Sequence, residues 1–142
     1  MQRTLTTLAA AALLMLLAAG CTSTPRHASN QSQAMSTNPH LGRIRHVVMF
    51  RFTEDADPAA IARVEEAFAA LPSQIPQIRD FEWGTNNSPE GLDMGYTHVF
   101  LVTFDNDADR AAYLPHPAHQ EFVQLLGGII DEVHVLDYTA QK

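Results

Sequence analysis

The sequence is poor in the residue types that support redox chemistry and nucleic-acid binding. It has a single cysteine, Cys21, so an intramolecular disulfide cannot form. Basic residues number nine, and residues 44–142 carry 16 acidic side chains against six basic ones, a formal net charge of −10. Nucleic-acid binders neutralise the phosphate backbone with clustered lysine and arginine. The composition therefore predicts that nucleic acid is not a partner.

No apolar run is long enough to cross a bilayer as a helix, which takes about 20 residues. The longest run, residues 8–19, follows a positive start at Arg3 and leads through Gly20 to Cys21. This arrangement resembles a bacterial lipoprotein signal, which is cut before a cysteine that becomes lipidated. We expect a lipoprotein-type signal peptide over residues 1–20, cleaved before Cys21. The alternatives are an ordinary secreted protein and an uncleaved anchor.

The expected location is the bacterial cell envelope, with the protein held to a membrane by a lipid anchor on Cys21. Thr22, rather than an acidic residue, follows this cysteine. By resemblance to lipoprotein signals, that choice favours the outer membrane if the cell is Gram-negative.

Residues 21–43 lack the apolar side chains that a folded segment needs. They are rich in Ser, Thr, Asn, Gln and Pro, and such a segment cannot offset the entropy lost on ordering. We therefore predict a flexible tether followed by one domain over residues 44–142. His27 and His40 lie in the tether without neighbouring ligands at metal spacing, so we interpret them as solvated.

The domain alternates between the two periodicities that distinguish strands from helices. Apolar and aromatic residues recur at every second position in four segments, which predicts four strands. The predicted strands cover residues 44–52, 77–84, 96–104 and 129–138. The second strand has one polar side, which indicates an exposed face or a sheet edge.

Helical spacing appears in three segments between these strands. Asp57 and Pro58 predict the start of a first helix that ends near residue 71, where two prolines stop it. Asp107 is the expected cap of a short helix that runs to Tyr113. The last helix is expected to begin at Pro117 and to end at a pair of glycines.

The order β-α-β-β-α-α-β fits a ferredoxin-like α+β fold, in which helices cover one face of a four-stranded antiparallel sheet. The other face would also carry apolar residues, and monomers rarely leave so large an apolar patch in water. We therefore expect a homodimer in which two sheets close on each other.

Histidine and tyrosine side chains fall on the apolar faces of these elements. His119 lies at helical spacing with Phe122, Val123 and Leu126. The first and third strands each place one histidine and one phenylalanine in phase, namely His46 with Phe50 and His98 with Phe100. A mostly apolar pocket with a few polar groups is typical of small-ligand sites.

Residues 44–142 resemble the stress-responsive A/B barrel, or Dabb, family of dimeric α+β barrels. The matching segments occur in the family's order: IRHVVMFRF at 44–52, FEWG at 81–84, GYTHVFLVTF at 95–104, YLPHPAHQEF at 113–122 and VLDYT at 135–139. Most members have no assigned reaction. The resemblance to one plant member, a polyketide cyclase, implies a catalytic pair at Tyr113 and His119 and pocket histidines at His46 and His98.

Two functions follow as hypotheses. The first is a stress-associated, lipid-anchored dimer that binds a small apolar or aromatic molecule through His46, His98, Phe50 and Phe100. The alternative is a cofactor-independent cyclase, isomerase or oxygenase in which Tyr113 and His119 form the acid/base pair. Structural interpretations remain open: His119 as a core histidine bound to a backbone carbonyl, His116 as a helix cap and His134 as a structural residue.

The sequence predicts neither a metal nor another cofactor. Four histidines from separate elements could in principle bind a metal or haem, but there is no close-spaced pair such as His-x-x-x-His.

Overall fold

The computed structural model describes residues 38–142. The predicted signal peptide, Cys21 and residues 21–37 of the predicted tether lie outside this part of the chain. The elements are β1 (Ile44–Phe52), α1 (Pro58–Gln74), β2 (Asp80–Thr85), β3 (His98–Phe104), α2 (Asp107–Tyr113), α3 (Pro117–Leu125) and β4 (Ile130–Thr139). Their order is the predicted one. Among the helices of residues 38–142, none has the length and apolar character needed to cross a membrane.

The four strands form one antiparallel sheet in the order β2-β3-β1-β4. β1 and β3 are central, which agrees with their nearly continuous apolar and aromatic composition. β2 and β4 are the edge strands, and their side chains are mostly exposed. The predicted ferredoxin-like α+β class is confirmed.

Side chains at the predicted positions start the first and last helices. Asp57 accepts a hydrogen bond from the backbone N–H of Ala59 at 3.0 Å, and proline follows it at the first helical position. His116 caps α3 in the same way, since its Nδ1 accepts from the N–H of Ala118 at 3.2 Å. The cap of α2 is Asn106 rather than Asp107, because the Asn106 amide oxygen accepts from the N–H of Asp109 at 3.0 Å.

The end of α1 lies further along the chain than the prolines predicted. Pro72 lies inside the last turn, and the helix continues to Gln74. A proline removes one backbone donor but has a φ that a helical turn accepts. The turn closes through Ile75, whose N–H donates to the carbonyl of Leu71 at 2.9 Å.

The helices cover the sheet face that carries the even-numbered residues of β1 and β3. Phe68 of α1 is central to this core: its ring centroid lies 4.4 Å from that of Phe100 on β3 and 4.5 Å from that of Phe122 on α3. All three residues are buried. Aromatic packing therefore joins α1 and α3 to the middle of the sheet.

The opposite sheet face, which we call the outer face, is not covered by helices. Its apolar side chains are Val47, Met49, Val99, Leu101, Leu136 and Tyr138. Leu136 is 56% exposed and Tyr138 is 46% exposed. The sheet thus presents an apolar surface to its surroundings, as the sequence predicted.

The segment before β1 is hydrogen-bonded to the end of the domain. Residues 38–43, which the tether prediction includes, form turns that are hydrogen-bonded to the residue after β4. Gly42 donates to the carbonyl of Ala140 at 3.0 Å, and Ala140 donates to the carbonyl of Arg43 at 2.9 Å. Gly42 has a φ of +79°, which glycine adopts without strain.

Candidate ligand and acid–base site

A cavity of about 430 Å³ lies between α3 and the half of the sheet formed by β1 and β4. We call it the α3 cavity. Val133 and Val135 of the edge strand β4 line it and remain 44% and 48% exposed, so the space beside them is not filled by the short helix α3. The other apolar lining includes Val48, Phe50, Phe122 and Val123. Four polar side chains join this lining: His46, Tyr113, His119 and Asp137.

The turn between α2 and α3 brings Tyr113 and His119 together. Tyr113 is the last residue of α2, and His119 lies in the first turn of α3. Pro117 fixes the start of α3, so the chain reverses within a few residues. The two ring centroids lie 4.3 Å apart.

His119 has a defined tautomer. Its Nδ1 lies 2.9 Å from the carbonyl oxygen of Leu114, and a carbonyl oxygen only accepts, so Nδ1 carries the proton. Burial lowers the pKa of His119, and His46 and His116 lower it further, although the hydrogen bond to Leu114 acts in the opposite direction. The ring is therefore neutral at pH 7, and its Nε2 has a free lone pair.

Tyr113 is fully buried. Its hydroxyl has no hydrogen-bond partner among residues 38–142. Burial raises the pKa of Tyr113 well above its usual range. The phenol therefore stays protonated near neutral pH, and Tyr113, a residue of the cavity wall, holds a buried donor without a partner among residues 38–142.

His46 is held by a carboxylate from the neighbouring strand. His46 of β1 lies directly opposite Asp137 of β4, and its Nδ1 is 2.8 Å from the Asp137 Oδ1. Because a carboxylate accepts, Nδ1 donates, and Nε2 is the nitrogen left for another partner. The other oxygen of Asp137, Oδ2, lies 3.4 Å from the guanidinium of Arg110 on α2.

The family model that describes the stress-responsive A/B barrel domain matches residues 44–140. The chain belongs to this family. The match covers β1 to β4 and hence every residue of the α3 cavity. The predicted family and the extent of its resemblance are confirmed.

Several family members and solved structures are similar to the chain. A stress-response A/B barrel domain-containing protein from Arabidopsis thaliana, HS1, is 37% identical over 97 residues, which span 68% of this chain and 89% of that protein. Olivetolic acid cyclase from Cannabis sativa is 26% identical over 99 residues, spanning 70% of this chain and 98% of the cyclase. A dimeric protein of unknown function with a ferredoxin-like fold, from Bacteroides fragilis, has a TM-score of 0.59 and 27% identity, covering 71% of this chain and 99% of that structure.

The structure brings together four of the six side chains predicted for the site. His46, Phe50, Tyr113 and His119 all line the α3 cavity. The predicted apolar stripe of the last helix lies there too, because Phe122, Val123 and Leu126 join His119 in the lining. Their roles in binding and catalysis stay predictions.

His98 and Phe100 do not line the α3 cavity. The Nε2 of His98 lies 2.9 Å from a carboxylate oxygen of Glu65, and its Nδ1 lies 2.8 Å from the Thr97 hydroxyl, so both ring nitrogens have partners. Phe100 is fully buried and stacks on Phe68. In the folded domain these two residues hold α1 against β3.

Two charged residues are absent from the predicted site: Asp137, which lines the α3 cavity, and Arg110, which is paired with it. A signal for Asp137 was present, because it is in phase with Val133 and Val135 and therefore faces the helices with them. Arg110 had a weaker signal: it precedes Tyr113 by three residues, which places both on one side of α2.

These side chains do not form a metal site. Within the described part of the chain, no group of three or more His, Cys, Asp or Glu residues is arranged to hold a metal ion.

Proposed function

We propose that the domain binds a small, largely apolar molecule in the α3 cavity and that the hydroxyl of Tyr113 donates a hydrogen bond to an oxygen of that molecule. The observation that carries this proposal is the buried hydroxyl without a partner among residues 38–142. Leaving a buried donor unpaired costs about 1–3 kcal/mol. A ligand oxygen that accepts from Tyr113 would remove this cost when it binds.

The size and lining of the cavity define the chemical class of the ligand. A volume of about 430 Å³ lies within the usual range for small-molecule sites. Its walls are mainly valine, leucine and phenylalanine, with polar groups restricted to Tyr113, two histidines and Asp137. These features favour an aromatic or alkyl molecule with one or two oxygen atoms over a sugar or a nucleotide.

A matched pair of probes tests this assignment. Titration of residues 38–142 with 4-propylphenol, followed by NMR, should shift the signals of α3 and β4. Propylbenzene, which has no oxygen, should bind at least about fivefold more weakly, because one hydrogen bond is worth about that much. Val123→Trp should block binding by filling the α3 cavity. Leu125→Trp, an exposed position on the same helix, is its control. Equal affinity for both probes, or binding unaffected by Val123→Trp, would contradict the proposal.

The second candidate function is proton-transfer catalysis, in which His119 Nε2 is the base and Tyr113 donates to the developing enolate. It is favoured by the 4.3 Å contact of the two rings and by the neutral tautomer of His119. Similarity to olivetolic acid cyclase supports a carbonyl compound as substrate.

Deuterium exchange tests this chemistry without knowledge of the natural substrate. The domain should catalyse exchange of the protons next to the carbonyl of 4-phenylbutan-2-one in D₂O. His119→Asn keeps a donor for the Leu114 carbonyl but has no base, so the catalysed rate should fall about 100-fold or more. If the two proteins exchange these protons at the same rate, His119 is not the base and the domain is a binding module.

The proposed assembly is a homodimer in which the outer faces of two sheets pack together. Its support is the exposed apolar surface around Leu136 and Tyr138 and the similarity to a dimeric ferredoxin-like protein.

The proposed location is the bacterial cell envelope, with a stress-associated role and a lipid anchor on Cys21. Support comes from the apolar segment and the small residue that precede this cysteine. Full-length protein expressed in a Gram-negative host should incorporate labelled palmitate and sediment with the outer membrane. Cys21→Ser should abolish both. Label that remains in Cys21→Ser would exclude this anchor.

A further inference from the structure

We infer that Arg110 is a positioning residue of the α3 cavity, which acts through Asp137 to keep the ring of His46 in one tautomer and orientation. The inference rests on the proposed function of that cavity, since it concerns the group that His46 offers to a ligand. Arg110 itself does not line the cavity.

The geometry forms a continuous chain from α2 through β4 to β1. The Arg110 guanidinium lies 2.8 Å from Asp107 Oδ1 through Nη2 and 3.4 Å from Asp137 Oδ2 through Nη1. The second oxygen of Asp137 lies 2.8 Å from Nδ1 of His46. Each oxygen of Asp137 therefore has its own partner, and the carboxylate plane is held from both sides.

The acidic charge of the domain explains why Asp137 needs Arg110 to keep its carboxylate in one orientation. Asp137 is about one-third exposed on an edge strand of a strongly acidic domain. Without Arg110, its carboxylate accepts a single hydrogen bond, from Nδ1 of His46, and is free to rotate into water. The guanidinium opposes this rotation because it attracts the outer oxygen.

The orientation of His46 follows from that of Asp137. His46 is only 6% exposed, and its ring lies 5.9 Å from Tyr113 and 6.1 Å from Phe104 by centroid distance. Neither contact distinguishes Nδ1 from Nε2, so the carboxylate is the group that fixes the tautomer. In the tautomer with its proton on Nδ1, Nε2 of His46 is an acceptor, and the cavity wall offers one donor, Tyr113, near it.

This arrangement predicts which ligands the cavity prefers. A ligand oxygen that bears a proton, as in a phenol or an enol, can accept from Tyr113 and donate to His46 Nε2. An ether oxygen can only accept. Arg110 thereby contributes to selection of hydroxyl-bearing ligands, although it touches no ligand.

The test measures the His46 tautomer and ligand affinity in the same protein. In residues 38–142 at about pH 8, where an ordinary histidine is neutral, ring ¹⁵N chemical shifts should show a proton on Nδ1 of His46. In Arg110→Gln the signals should move toward a mixture of both tautomers, and the affinity for 4-propylphenol should fall about fivefold, the worth of one hydrogen bond. The affinity for 4-propylanisole, the methyl ether, should stay the same.

Two further variants control for loss of structure. Arg63→Gln removes an exposed arginine of α1 that has no ion pair among the described residues, and it should change neither readout. In the Asp137→Asn background, Arg110→Gln should have no additional effect, because the carboxylate that Arg110 orients is absent.

The outcomes separate this inference from the proposed function. An unchanged His46 tautomer in Arg110→Gln would overturn the role of Arg110, whatever the domain binds. Failure of the unmodified domain to bind 4-propylphenol would instead refute the proposed function. If Arg110→Gln alone does not fold, Asp137→Asn is compared with the double variant Asp137→Asn and Arg110→Gln. A difference between these two proteins in the His46 tautomer or in affinity would contradict action through Asp137.

Discussion

At the scale of single residues, the hydroxyl of Tyr113 distinguishes a ligand site from a structural core. It is buried without a partner among residues 38–142, so it contributes nothing favourable to folding. Tyr113→Phe keeps the aromatic contacts with His119 and Phe104. We therefore expect the free energy of unfolding to stay the same or to rise by about 1 kcal/mol, while 4-propylphenol binds about fivefold more weakly.

Urea denaturation and an NMR titration of Tyr113→Phe check both halves of this prediction. A loss of stability above about 1 kcal/mol would mean that the hydroxyl is bonded within the fold, which leaves no unpaired donor for a ligand.

His119 gives the domain a pH-dependent stability whose sign follows from its burial. The pKa of His119 is lowered in the folded state, so the unfolded chain binds the proton more tightly. This contribution is fully present above the unfolded pKa of about 6.5 and is lost as pH falls toward the folded pKa. His119→Asn should therefore lose less stability than the unmodified domain between about pH 7.5 and pH 5.

The measurement is the urea midpoint at these two pH values. The control is His134→Gln, which changes an exposed histidine of β4 outside the α3 cavity. An equal loss in His119→Asn would show that the folded and unfolded states bind the His119 proton equally well.

At the scale of elements, the ring of Phe68 packs α1 and α3 against the sheet. Phe68 is 1% exposed, stacks on Phe100 of β3 and packs at a tilt against Phe122 of α3. Phe68→Ala removes this packing and enlarges the α3 cavity, which Phe68 also lines. We expect a loss of about 3–5 kcal/mol in the free energy of unfolding, as for other buried phenylalanines.

The control for this substitution is Phe81→Ala, on the edge strand β2. Phe81 is partly buried and lies at the margin of the same aromatic group, so its replacement should cost clearly less. Similar losses in the two variants, measured by denaturant titration, would show that α1 is not the element that joins the core.

At the scale of the whole molecule, the proposed dimer depends on the outer face. Leu136 lies on this face and is 56% exposed. Leu136→Glu would place a carboxylate in a sheet-to-sheet interface twice, once from each subunit of a symmetric dimer. We expect the dimer dissociation constant to rise at least about 100-fold, with little change in the stability of the subunit.

Analytical ultracentrifugation of residues 38–142 measures this change. Leu125→Glu is the matched control, because Leu125 is similarly exposed but lies on α3, on the helical side of the sheet. Dimers that resist Leu136→Glu but dissociate in Leu125→Glu would place the interface on the helices instead.

Local patterns in the sequence were enough to predict the order of the elements, the fold class and the family. Alternation in β1 and β3, together with caps such as Asp57, depends on neighbours within a few residues, and these local preferences agree with the final fold. The same patterns placed His46 and His119 on apolar faces. They did not fix boundaries such as the end of α1, where one lost backbone donor is tolerated in the last helical turn.

Which polar residues lie in contact depends on how the strands and helices pack together. His46 and His98 follow the same local pattern. β1, which carries His46, lies beside β4 and under α3, whereas the end of β3 that carries His98 lies against Glu65 of α1. His46 and Asp137 are 91 positions apart in the chain, and strand pairing puts them directly opposite each other. Local preferences act over a few residues, so they do not predict a contact between residues this far apart in the chain. The packing of the whole sheet and its helices sets that contact.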